Sequence, residues 1–234
     1  MHLTLRRVTT LTFDVFGTVL DLGSSLSKPL EILLEGKEPV LDASELWLQW
    51  RARQRLEQFQ DSLLMLGHSG YLETCRRALV YCLKDNNIEV SDARVDRVIG
   101  SFRELMPFGD AALALQRLKE RFAVVALSNG DQWLLEHVAE KQISFDFDKL
   151  ISVESAGFFK PHPAVYRFAA RLLQSDPAEL MMVSSHGFDV VGARACGFEA
   201  AYVNRYGLPP DESVYKPGIV AKNFADLADQ LLDN

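Results

Sequence analysis

Cysteine is scarce in this sequence. Only three of the 234 residues are cysteines: Cys75, Cys82 and Cys196. Their number is odd and no C-x-x-C pair occurs, so neither a disulfide framework nor a zinc site is expected. The three thiols are interpreted as small buried side chains.

Runs of positive charge are also missing. The formal net charge is −7 at pH 7, and no basic run is longer than the pairs Arg6-Arg7 and Arg76-Arg77. A protein that binds nucleic acid by neutralising phosphates needs more clustered lysine and arginine than this. No nucleic-acid partner is therefore expected, and an anionic ligand has to be held by a few local cations.

Long apolar runs are absent as well. No segment approaches the roughly 18 apolar residues that a membrane-spanning helix requires. The N-terminal residues lack the apolar segment and the cleavage site of a secretory signal peptide. These features predict a cytoplasmic protein without a membrane partner.

What the sequence does contain is an alternation of short apolar strands and amphipathic helices. Strands are predicted at residues 11–15, 122–127, 150–153, 180–183 and 200–203. Helical patterns occupy residues 109–120, 132–141, 163–174 and 187–196. Strand and helix in repeated succession are typical of a parallel sheet that is covered on both faces. The predicted fold class is α/β, a doubly wound parallel sheet with a Rossmann-like core.

The segment from residue 22 to residue 103 interrupts this alternation. It carries amphipathic helical patterns at residues 43–66, 69–85 and 92–102, a loop signal at residues 36–39, and no convincing strand. We expect residues 22–103 to form a helical cap domain. Residues 1–21 and 104–234 are then the α/β core domain.

Polar side chains follow the ends of four predicted strands. They are Asp14, the pair Ser128 and Asn129, Lys160, and the segment 184–189. In open α/β sheets, ligands bind outside the carboxyl ends of the strands. These side chains are therefore expected to meet in one crevice.

Two roles fit Asp14. The D-x-x-G-T pattern contains good turn chemistry, which makes a structural role an alternative. A buried carboxylate without a partner is costly, however, and a nearby lysine would keep it ionised and able to act as a nucleophile. Lys160 is the candidate for that partner, because Pro161 and Pro163 stiffen its segment. A solvated surface position is the alternative for this lysine.

The S-N-G segment at residues 128–130 also has two interpretations. Ser128 or Asn129 could cap the following helix through its side chain. The same amides and hydroxyl could bind an anion at the helix N-terminus. Both roles can hold together.

The segment S-S-H-G-F-D at residues 184–189 carries two candidate groups. Asp189 stands where a helix begins, so it either interacts with the helix dipole or orients and deprotonates a water molecule. His186 is a candidate general base, a hydrogen-bond donor or a loop residue at the rim. No second histidine or cysteine is spaced to make it a metal ligand.

The arginines of W-R-A-R-Q-R, residues 50–55, lie in the first long helical pattern of the insertion. Most of them are expected to form a solvated face. Arg51, beside Trp50, is our candidate for the arginine that turns into the crevice and holds an anionic substrate or leaving group.

Taken together, four motifs resemble those of the haloacid dehalogenase superfamily. In order they are D-V-F-G-T-V-L-D, S-N-G, K-P-x-x-x-V-Y and S-S-H-x-x-D-x-x-G-A, with the helical insertion after the first. The resemblance covers essentially the whole chain. Within the superfamily, the sequence looks most like the 2-haloacid dehalogenases of type II.

Two departures from the superfamily's phosphatases support that branch. The phosphatases carry D-x-D, whose second aspartate protonates the leaving oxygen, and this chain has Phe16 there. They also carry an acid that helps to hold Mg²⁺, and this chain has Ser185 in its place. A halide needs neither group to leave.

The resemblance implies covalent catalysis without a cofactor or a metal ion. Asp14 attacks the carbon that bears the halogen, and water then hydrolyses the aspartyl ester to give a 2-hydroxy acid. The implied substrates are short 2-haloacids or haloacetates, which are small halogenated carboxylates. A homodimer is implied by the resemblance alone.

The resemblance also implies roles for single residues. Thr18 supports Asp14 by hydrogen bonding, and Lys160 contacts Asp14. Ser184 matches the serine of the last motif, and Asp189 matches the acid that helps to activate water.

Further roles concern substrate binding. Ser128 matches a serine near the substrate carboxylate, and Asn129 lines the halide side. Arg51 resembles the arginine that receives the halide, with Arg53 and Arg55 as alternatives.

Three aromatic or polar residues complete the match. Tyr166 matches a supporting tyrosine. Phe16 replaces a tyrosine and keeps an apolar wall. His186 stands where the best-known members have asparagine, so it either assists ester hydrolysis or tunes halide preference.

Three other functions remain open from the sequence. One is the same chemistry with another leaving group, such as a strained ring amine. Another is a phosphatase in which His186 substitutes for the missing acid. A third is a non-catalytic protein that binds small carboxylates, although the presence of Asp14, Lys160 and Asp189 together speaks against it.

Overall fold

The structure is a computed structural model that describes residues 7–36, 41–65, 67–209 and 212–233. Its centre is one six-stranded sheet in the order β3-β2-β1-β4-β5-β6, and every neighbouring pair is parallel. The strands are β1 (Thr10–Phe13), β2 (Ala123–Ser128), β3 (Lys149–Ser152), β4 (Leu180–Ser184), β5 (Glu199–Val203) and β6 (Ile219–Ala221). The predicted parallel sheet is confirmed.

The middle strands are buried on both faces. All residues of β1, β4 and β5 are buried, which explains why they read as continuous apolar runs rather than as an alternation. Predicted and observed bounds of the first five strands differ by at most two residues. β6 was not predicted, because it has only three residues and its central Val220 is exposed.

Four helices follow β1 and lie within residues 22–103. They are α1 (Leu22–Leu34), α2 (Ala43–Leu64), α3 (Tyr71–Asp85) and α4 (Asp92–Gly100), and we call them the inserted helices. A 3₁₀ turn at Ser101–Glu104 follows α4. The described part of residues 22–103 contains no strand.

The inserted helices differ in detail from the prediction. α1 was not predicted as a helix. Asp21 caps it by accepting a hydrogen bond from the backbone N–H of Ser24, at 3.1 Å. Its Pro29 lies inside the helix. α4 ends two residues before the predicted end. Leu66, the predicted end of α2, and residues 37–39 of the predicted loop lie outside the described residues.

Five further helices flank the sheet. They are α5 (Ala111–Lys119), α6 (Gln132–Val138), α7 (Pro163–Leu173), α8 (Gly187–Ala195) and α9 (Phe224–Leu232). A π-helical turn at Ala139–Ile143 follows α6. No helix of the described residues combines the length and the apolar character needed to cross a membrane.

Two of the three cysteines are buried as expected. Cys75 and Cys82 lie in the interior of α3, whereas Cys196, just after α8, is partly exposed. All three are free thiols. The prediction of a buried position for Cys196 was wrong, because α8 ends there.

The sheet order places a crevice beside β1. The chain adds β2 and β3 on one side of β1 and then β4, β5 and β6 on the other. The carboxyl ends of β1 and β4 therefore flank a topological switch point, where open α/β sheets bind their ligands. Asp14 follows β1 and Ser184 ends β4 at this point.

Candidate active site

Asp14 lies at the centre of the crevice and is buried. Its backbone N–H donates to the carbonyl oxygen of Val183 at 3.0 Å, which extends the pairing of β1 with β4. Thr18 Oγ1 donates to Asp14 Oδ2 at 2.7 Å, and Lys160 Nζ donates to Asp14 Oδ1 at 3.2 Å. Each carboxylate oxygen thus has one donor, as predicted for Thr18 and Lys160.

Lys160 joins two carboxylates. Its Nζ also donates to Asp189 Oδ2 at 2.9 Å, and its side chain is only 1% exposed. The hydroxyl of Tyr166 donates to Asp189 Oδ1 at 2.8 Å. Two acids, one lysine and one tyrosine therefore form one buried network, which excludes the surface position for Lys160.

The network sets the ionisation of its members. Burial raises the pKa of Asp14, but the charge of Lys160 and the hydrogen bond from Thr18 outweigh it, so this pKa lies below its usual value. Burial lowers the pKa of Lys160, but Asp189 and Asp14 raise it above its usual value. The pKa of Asp189 is raised by burial, although Lys160 opposes this. Of the two acids, Asp14 is the one whose ionised form this arrangement favours more strongly.

A glycine allows α8 to approach this network closely. A Cβ atom at Gly192 would lie 2.7 Å from both Pro161 Cβ and the hydroxyl oxygen of Tyr166, which is closer than real Cβ atoms come to their neighbours. Any larger residue would push α8, and with it Asp189, away from Lys160. This close packing explains why the last motif has a glycine at position 192.

The loops after β1 and β4 are joined by hydrogen bonds. Thr18 Oγ1 accepts from the backbone N–H of Ser185 at 2.9 Å while it donates to Asp14. Ser184 Oγ accepts from the backbone N–H of His186 at 3.1 Å. Ser185 Oγ is buried and has no hydrogen-bond partner within the described residues. Ser184 thus orders its own loop.

His186 lies beside Asp14 and acts as a hydrogen-bond donor. Its Nε2 is 3.1 Å from the carbonyl oxygen of Phe16 and 3.7 Å from Asp14 Oδ2. A carbonyl oxygen only accepts, so Nε2 carries the hydrogen. The ring stacks on Phe188 with 5.5 Å between centroids and 6° between planes.

His186 is neutral near pH 7. Burial lowers its pKa to about 4, Asp14 opposes this shift, and the charges of Arg51 and Arg55 add to it. With Nε2 engaged as a donor, Nδ1 is the nitrogen that is left to accept a proton. Of the three roles predicted for His186, the donor role is the one that the geometry displays.

Phe16 places a buried aromatic ring two residues after Asp14, in the segment that follows β1. Its ring is buried and tilts by 32° against the ring of Tyr71, with 4.8 Å between centroids. On its other side, a Cβ atom at Gly130 would lie 2.2 Å from Phe16 Cε2. Only glycine fits there, which explains the last residue of S-N-G.

The predicted helix cap at residues 128–130 was wrong. Ser128 Oγ accepts from the backbone N–H of Gly130 at 3.0 Å within its own turn. The N-cap position of α6 is occupied by Asp131, whose side chain does not cap that helix. The chain runs through one more residue before the helix begins, so Ser128 and Asn129 lie too early to cap it.

Asp131 caps a different helix, and sequence reasoning missed it. Its Oδ1 and Oδ2 accept from the backbone N–H groups of Tyr71 at 2.7 Å and Leu72 at 3.1 Å. These are the first two residues of α3, whose own N-cap residue Gly70 has no side chain. An acid at a helix start is visible in the sequence, but its partner 60 residues away is not.

Asn129 and Ser62 also connect the inserted helices to the site. Asn129 Nδ2 donates to Gln58 Oε1 of α2 at 3.2 Å, and Asn129 Oδ1 accepts from the backbone N–H of Lys160 at 2.9 Å. Ser62 Oγ of α2 accepts from the backbone N–H of Phe159 at 3.0 Å and donates to its carbonyl oxygen at 3.3 Å. α2 is thereby tied to the segment that carries Lys160.

The three arginines of α2 point in two directions. Arg53 pairs with Glu57 at 2.6 Å and lies over the ring of Tyr81, away from the crevice. Arg51 and Arg55 lie on the crevice side, where both act on the pKa of His186. Arg53 is therefore not the arginine of the site, and sequence reasoning missed that the crevice has two.

No cluster of metal-ligand side chains occurs in the ranges of the chain that the structure describes. There, no group of three or more His, Cys, Asp and Glu side chains could hold a metal ion.

Comparison with known proteins places the chain in a family. The model of the haloacid dehalogenase-like hydrolases matches residues 8–197. The (S)-2-haloacid dehalogenase 4A of Burkholderia cepacia is 33% identical over 202 residues, which are 85% of this chain and 84% of that protein. The haloacetate dehalogenase H-2 of Moraxella sp. (strain B) is 30% identical over 210 residues, with 89% and 91% covered.

A solved structure is similar along nearly its whole length. It is the L-2-haloacid dehalogenase of Xanthobacter autotrophicus with chloropropionic acid covalently bound, and it superposes with a TM-score of 0.83 at 26% identity, covering 96% of this chain and 98% of that one. The sheet, the ordered motifs and these similarities agree. The chain belongs to the haloacid dehalogenase-like hydrolase family.

Proposed function

We propose that the protein is a hydrolytic dehalogenase of short 2-haloacids, haloacetates included, that works through an ester on Asp14. The observation that carries the proposal is the buried carboxylate of Asp14, which Lys160 and Thr18 hold ionised in a segment whose residue 16 is a buried phenylalanine rather than an acid. A carboxylate in this state is a nucleophile, and position 16 supplies no second carboxylic acid that could protonate a leaving group. It suits a leaving group that departs as an anion.

The first step forms the ester. One carboxylate oxygen of Asp14 attacks C2 of the substrate from the side opposite the halogen, and the carbon–halogen electron pair leaves with the halide. Lys160 stays paired with Asp189 at 2.9 Å while the charge of Asp14 disappears, so its ammonium does not become an unpaired buried cation.

The second step cleaves the ester. Water attacks the side-chain carbonyl carbon of Asp14, the bond between that carbon and the ester oxygen attached to C2 breaks, and the 2-hydroxy acid leaves. One proton of the water goes to that departing oxygen, which becomes the hydroxyl of the product. The other proton is released to solvent, and Asp14 becomes a carboxylate again. Asp189 is proposed as the group that orients and deprotonates the water, because its raised pKa makes it the more basic of the two acids.

A substrate panel tests the reaction. Chloroacetate, bromoacetate, fluoroacetate and both enantiomers of 2-chloropropionate are incubated with purified, folded protein in the presence of EDTA, and the released halide is measured. We expect halide from at least the chloro and bromo substrates. Undetectable halide from the whole panel would reject the proposal.

An isotope experiment tests the ester. With enzyme in excess over substrate in ¹⁸O-labelled water, the hydroxyl oxygen of the first product comes from Asp14 and is unlabelled. Label in the product of the first turnover would mean that water attacks the substrate directly. Mass spectrometry of the 2-hydroxy acid distinguishes the two.

Further parts of the proposal concern organisation and location. Residues 22–103 are proposed as a cap domain on a core of residues 1–21 and 104–234, because the inserted helices cover the crevice and touch it through Asn129 and Asp131. The compartment is proposed to be the cytoplasm, where free thiols such as the three found here persist.

A homodimer through α2 is also proposed. Leu48, Leu56 and Leu63 are 67%, 45% and 81% exposed, and their spacing places them within about 80° of one another around the helix. Such an apolar face on a helix favours a partner of the same kind. Light scattering should give twice the mass of the 26.3 kDa chain, and Leu56→Glu should halve it. A wild-type protein that is monomeric at micromolar concentration would refute this part.

A further inference from the structure

The crevice has two arginines where one would match a single leaving group. Arg51 and Arg55 are four residues apart on α2, so they differ by only about 40° around the helix axis, whereas Arg53 differs from each by about 160°. The contacts agree, since Arg53 pairs with Glu57 on the far side. Arg51 and Arg55 therefore face the same space.

The two guanidinium groups are held by neutral contacts. Arg51 Nη1 donates to Gln54 Oε1, and its Cζ lies 5.5 Å from the centroid of a ring of Trp47. The Cζ of Arg55 lies 5.9 Å from the ring centroid of Phe188. Neither arginine forms an ion pair with a carboxylate among the described residues. The Nε atom of Arg55 is buried and has no hydrogen-bond partner among those residues.

A short chain of contacts connects Arg55 to Asp14. Arg55 lies over Phe188, Phe188 stacks on His186, and Nε2 of His186 is 3.7 Å from Asp14 Oδ2. Burial and the neighbouring Arg51 lower the pKa of Arg55, while Asp14 raises it. The guanidinium therefore interacts electrostatically with the carboxylate of Asp14. Arg55 thus borders the space above the attacking carboxylate.

The charges of the crevice are balanced best by two arginines. Asp14, Asp189 and Lys160 together carry −1, and a haloacid adds another −1. When the halide leaves, Asp14 is a neutral ester, but the halide and the substrate carboxylate are two separate anions in one crevice. Two guanidinium groups neutralise one anion each, whereas a single one would leave one of the two anions without a counter-charge in this partly buried crevice.

We propose that Arg55 is a substrate-binding residue that holds the carboxylate of the haloacid, while Arg51 receives the departing halide. This inference rests on the proposed function. It also makes a free carboxylate on the substrate a requirement, because a neutral analogue such as chloroacetamide leaves the partly buried guanidinium of Arg55 without an anion. The planar guanidinium suits a carboxylate, to which it can donate two parallel hydrogen bonds.

The test compares four variants: Arg55→Gln, Arg55→Lys, Arg51→Gln and, as a control on the opposite face of the same helix, Arg53→Gln. With chloroacetate and bromoacetate, Arg55→Gln should raise KM about 10- to 100-fold and by the same factor for both, because the carboxylate is common to them. Arg51→Gln should instead lower kcat, and more for chloride, the poorer leaving group. Arg55→Lys should recover part of the lost affinity, and Arg53→Gln should leave KM and kcat within about twofold.

Calorimetry with glycolate, the product of haloacetate hydrolysis, gives a second readout without turnover. The Kd of glycolate should rise by the same 10- to 100-fold factor in Arg55→Gln and should not change in Arg53→Gln. If the wild type dehalogenates and Arg55→Gln keeps both its KM and its glycolate Kd, the inference is wrong. If the wild type releases no halide but loses glycolate affinity on Arg55→Gln, the carboxylate assignment stands and the proposed reaction fails.

Discussion

The two sides of the crevice handle charge in opposite ways. On the side of the sheet, every charged group is bonded to another group of the protein: Lys160 to Asp14 and Asp189, and Asp189 also to Tyr166. On the side of α2, Arg51 and Arg55 pair with no carboxylate among the residues that the structure describes. The sheet side holds its reactive group in one geometry before any ligand binds, and the helix side keeps its positive charge for the ligand.

This difference has a physical cause. The sheet side contains a nucleophile, which must stay ionised and oriented, and fixed hydrogen bonds achieve both without reorganisation during the reaction. The helix side meets anions that come and go. A permanent acidic partner there would compete with them for the arginines.

Removal of the nucleophile gives the largest expected effect. Asp14→Ala should lower halide release by about 10⁴-fold or more, because no other carboxylate can take its place. The fold should survive, since Lys160 keeps its bond to Asp189 at 2.9 Å. Halide assays and thermal unfolding on the same sample check both statements, and unchanged turnover would contradict the proposed mechanism.

Removal of the cation on the sheet side should affect both activity and stability. Lys160→Met leaves two buried carboxylates without a counter-charge, which should cost about 3–5 kcal/mol of unfolding free energy near pH 7. Halide release should fall about 100-fold or more, because the pKa of Asp14 rises when Lys160 no longer opposes burial.

The pH dependence of this loss follows from the direction of the shifts. In Lys160→Met, burial and mutual repulsion raise the folded-state pKa values of the two carboxylates above their unfolded values of about 4. The penalty is therefore largest at neutral pH, shrinks as the pH falls towards about 4, and disappears only below that value, where the carboxylates are protonated in both states. Denaturant unfolding at pH 7 and pH 4.5 measures it, and an equal loss at both would contradict the ionic explanation.

Removal of the Asp131 side chain, which caps α3 from the sheet side of the crevice, should give an intermediate effect. Asp131→Ala frees the first two backbone N–H groups of α3 and should cost about 2 kcal/mol, because the lost bonds are charge-assisted and buried. Asp42→Ala removes the exposed N-cap of α2 and should cost about 1 kcal/mol. Chemical unfolding compares them, and a smaller loss for Asp131→Ala would argue against its connecting role. Asp131→Ala should also raise KM, since α3 packs on the helix that carries the arginines.

The smallest effect is expected at His186, whose environment is set by both sides. His186→Asn should leave the acid limb of the kcat/KM profile in place, because the histidine is already neutral above its pKa of about 4. The limb then belongs to the pair Asp14 and Asp189. A wild-type inflection between about pH 6 and pH 7 that vanishes in the variant would show that an imidazole titrates during the reaction.

The sheet side was predictable from the sequence, and the reason is geometric. Parallel strands end at one edge, so Asp14, Ser128, Lys160 and Ser184 had to gather once the strands were recognised. Even so, the helix cap was misplaced at S-N-G. Local turn chemistry alone does not say at which residue a helix begins.

The helix side was much less predictable. Which arginine faces the crevice depends on the rotation of α2 about its axis, and the pattern W-R-A-R-Q-R has no apolar spacing that fixes it. The contact of Asp131 with α3 and the contact of Asn129 with Gln58 join residues 59 or more positions apart. Pairings at such distances follow from packing between elements rather than from any local signal.

The bonds of Asn129, Ser62 and Asp131 across the crevice have a consequence for how a substrate gets in. On the sheet side, these bonds are made by residues 129, 131 and 159. Any swing of α2 and α3 away from the sheet has to break all of them, and such a swing also pulls on the backbone N–H of Lys160 through Asn129. Admission of substrate by that route would be an all-or-none event that disturbs the ammonium beside the attacking oxygen, and its rate would set an upper limit on turnover.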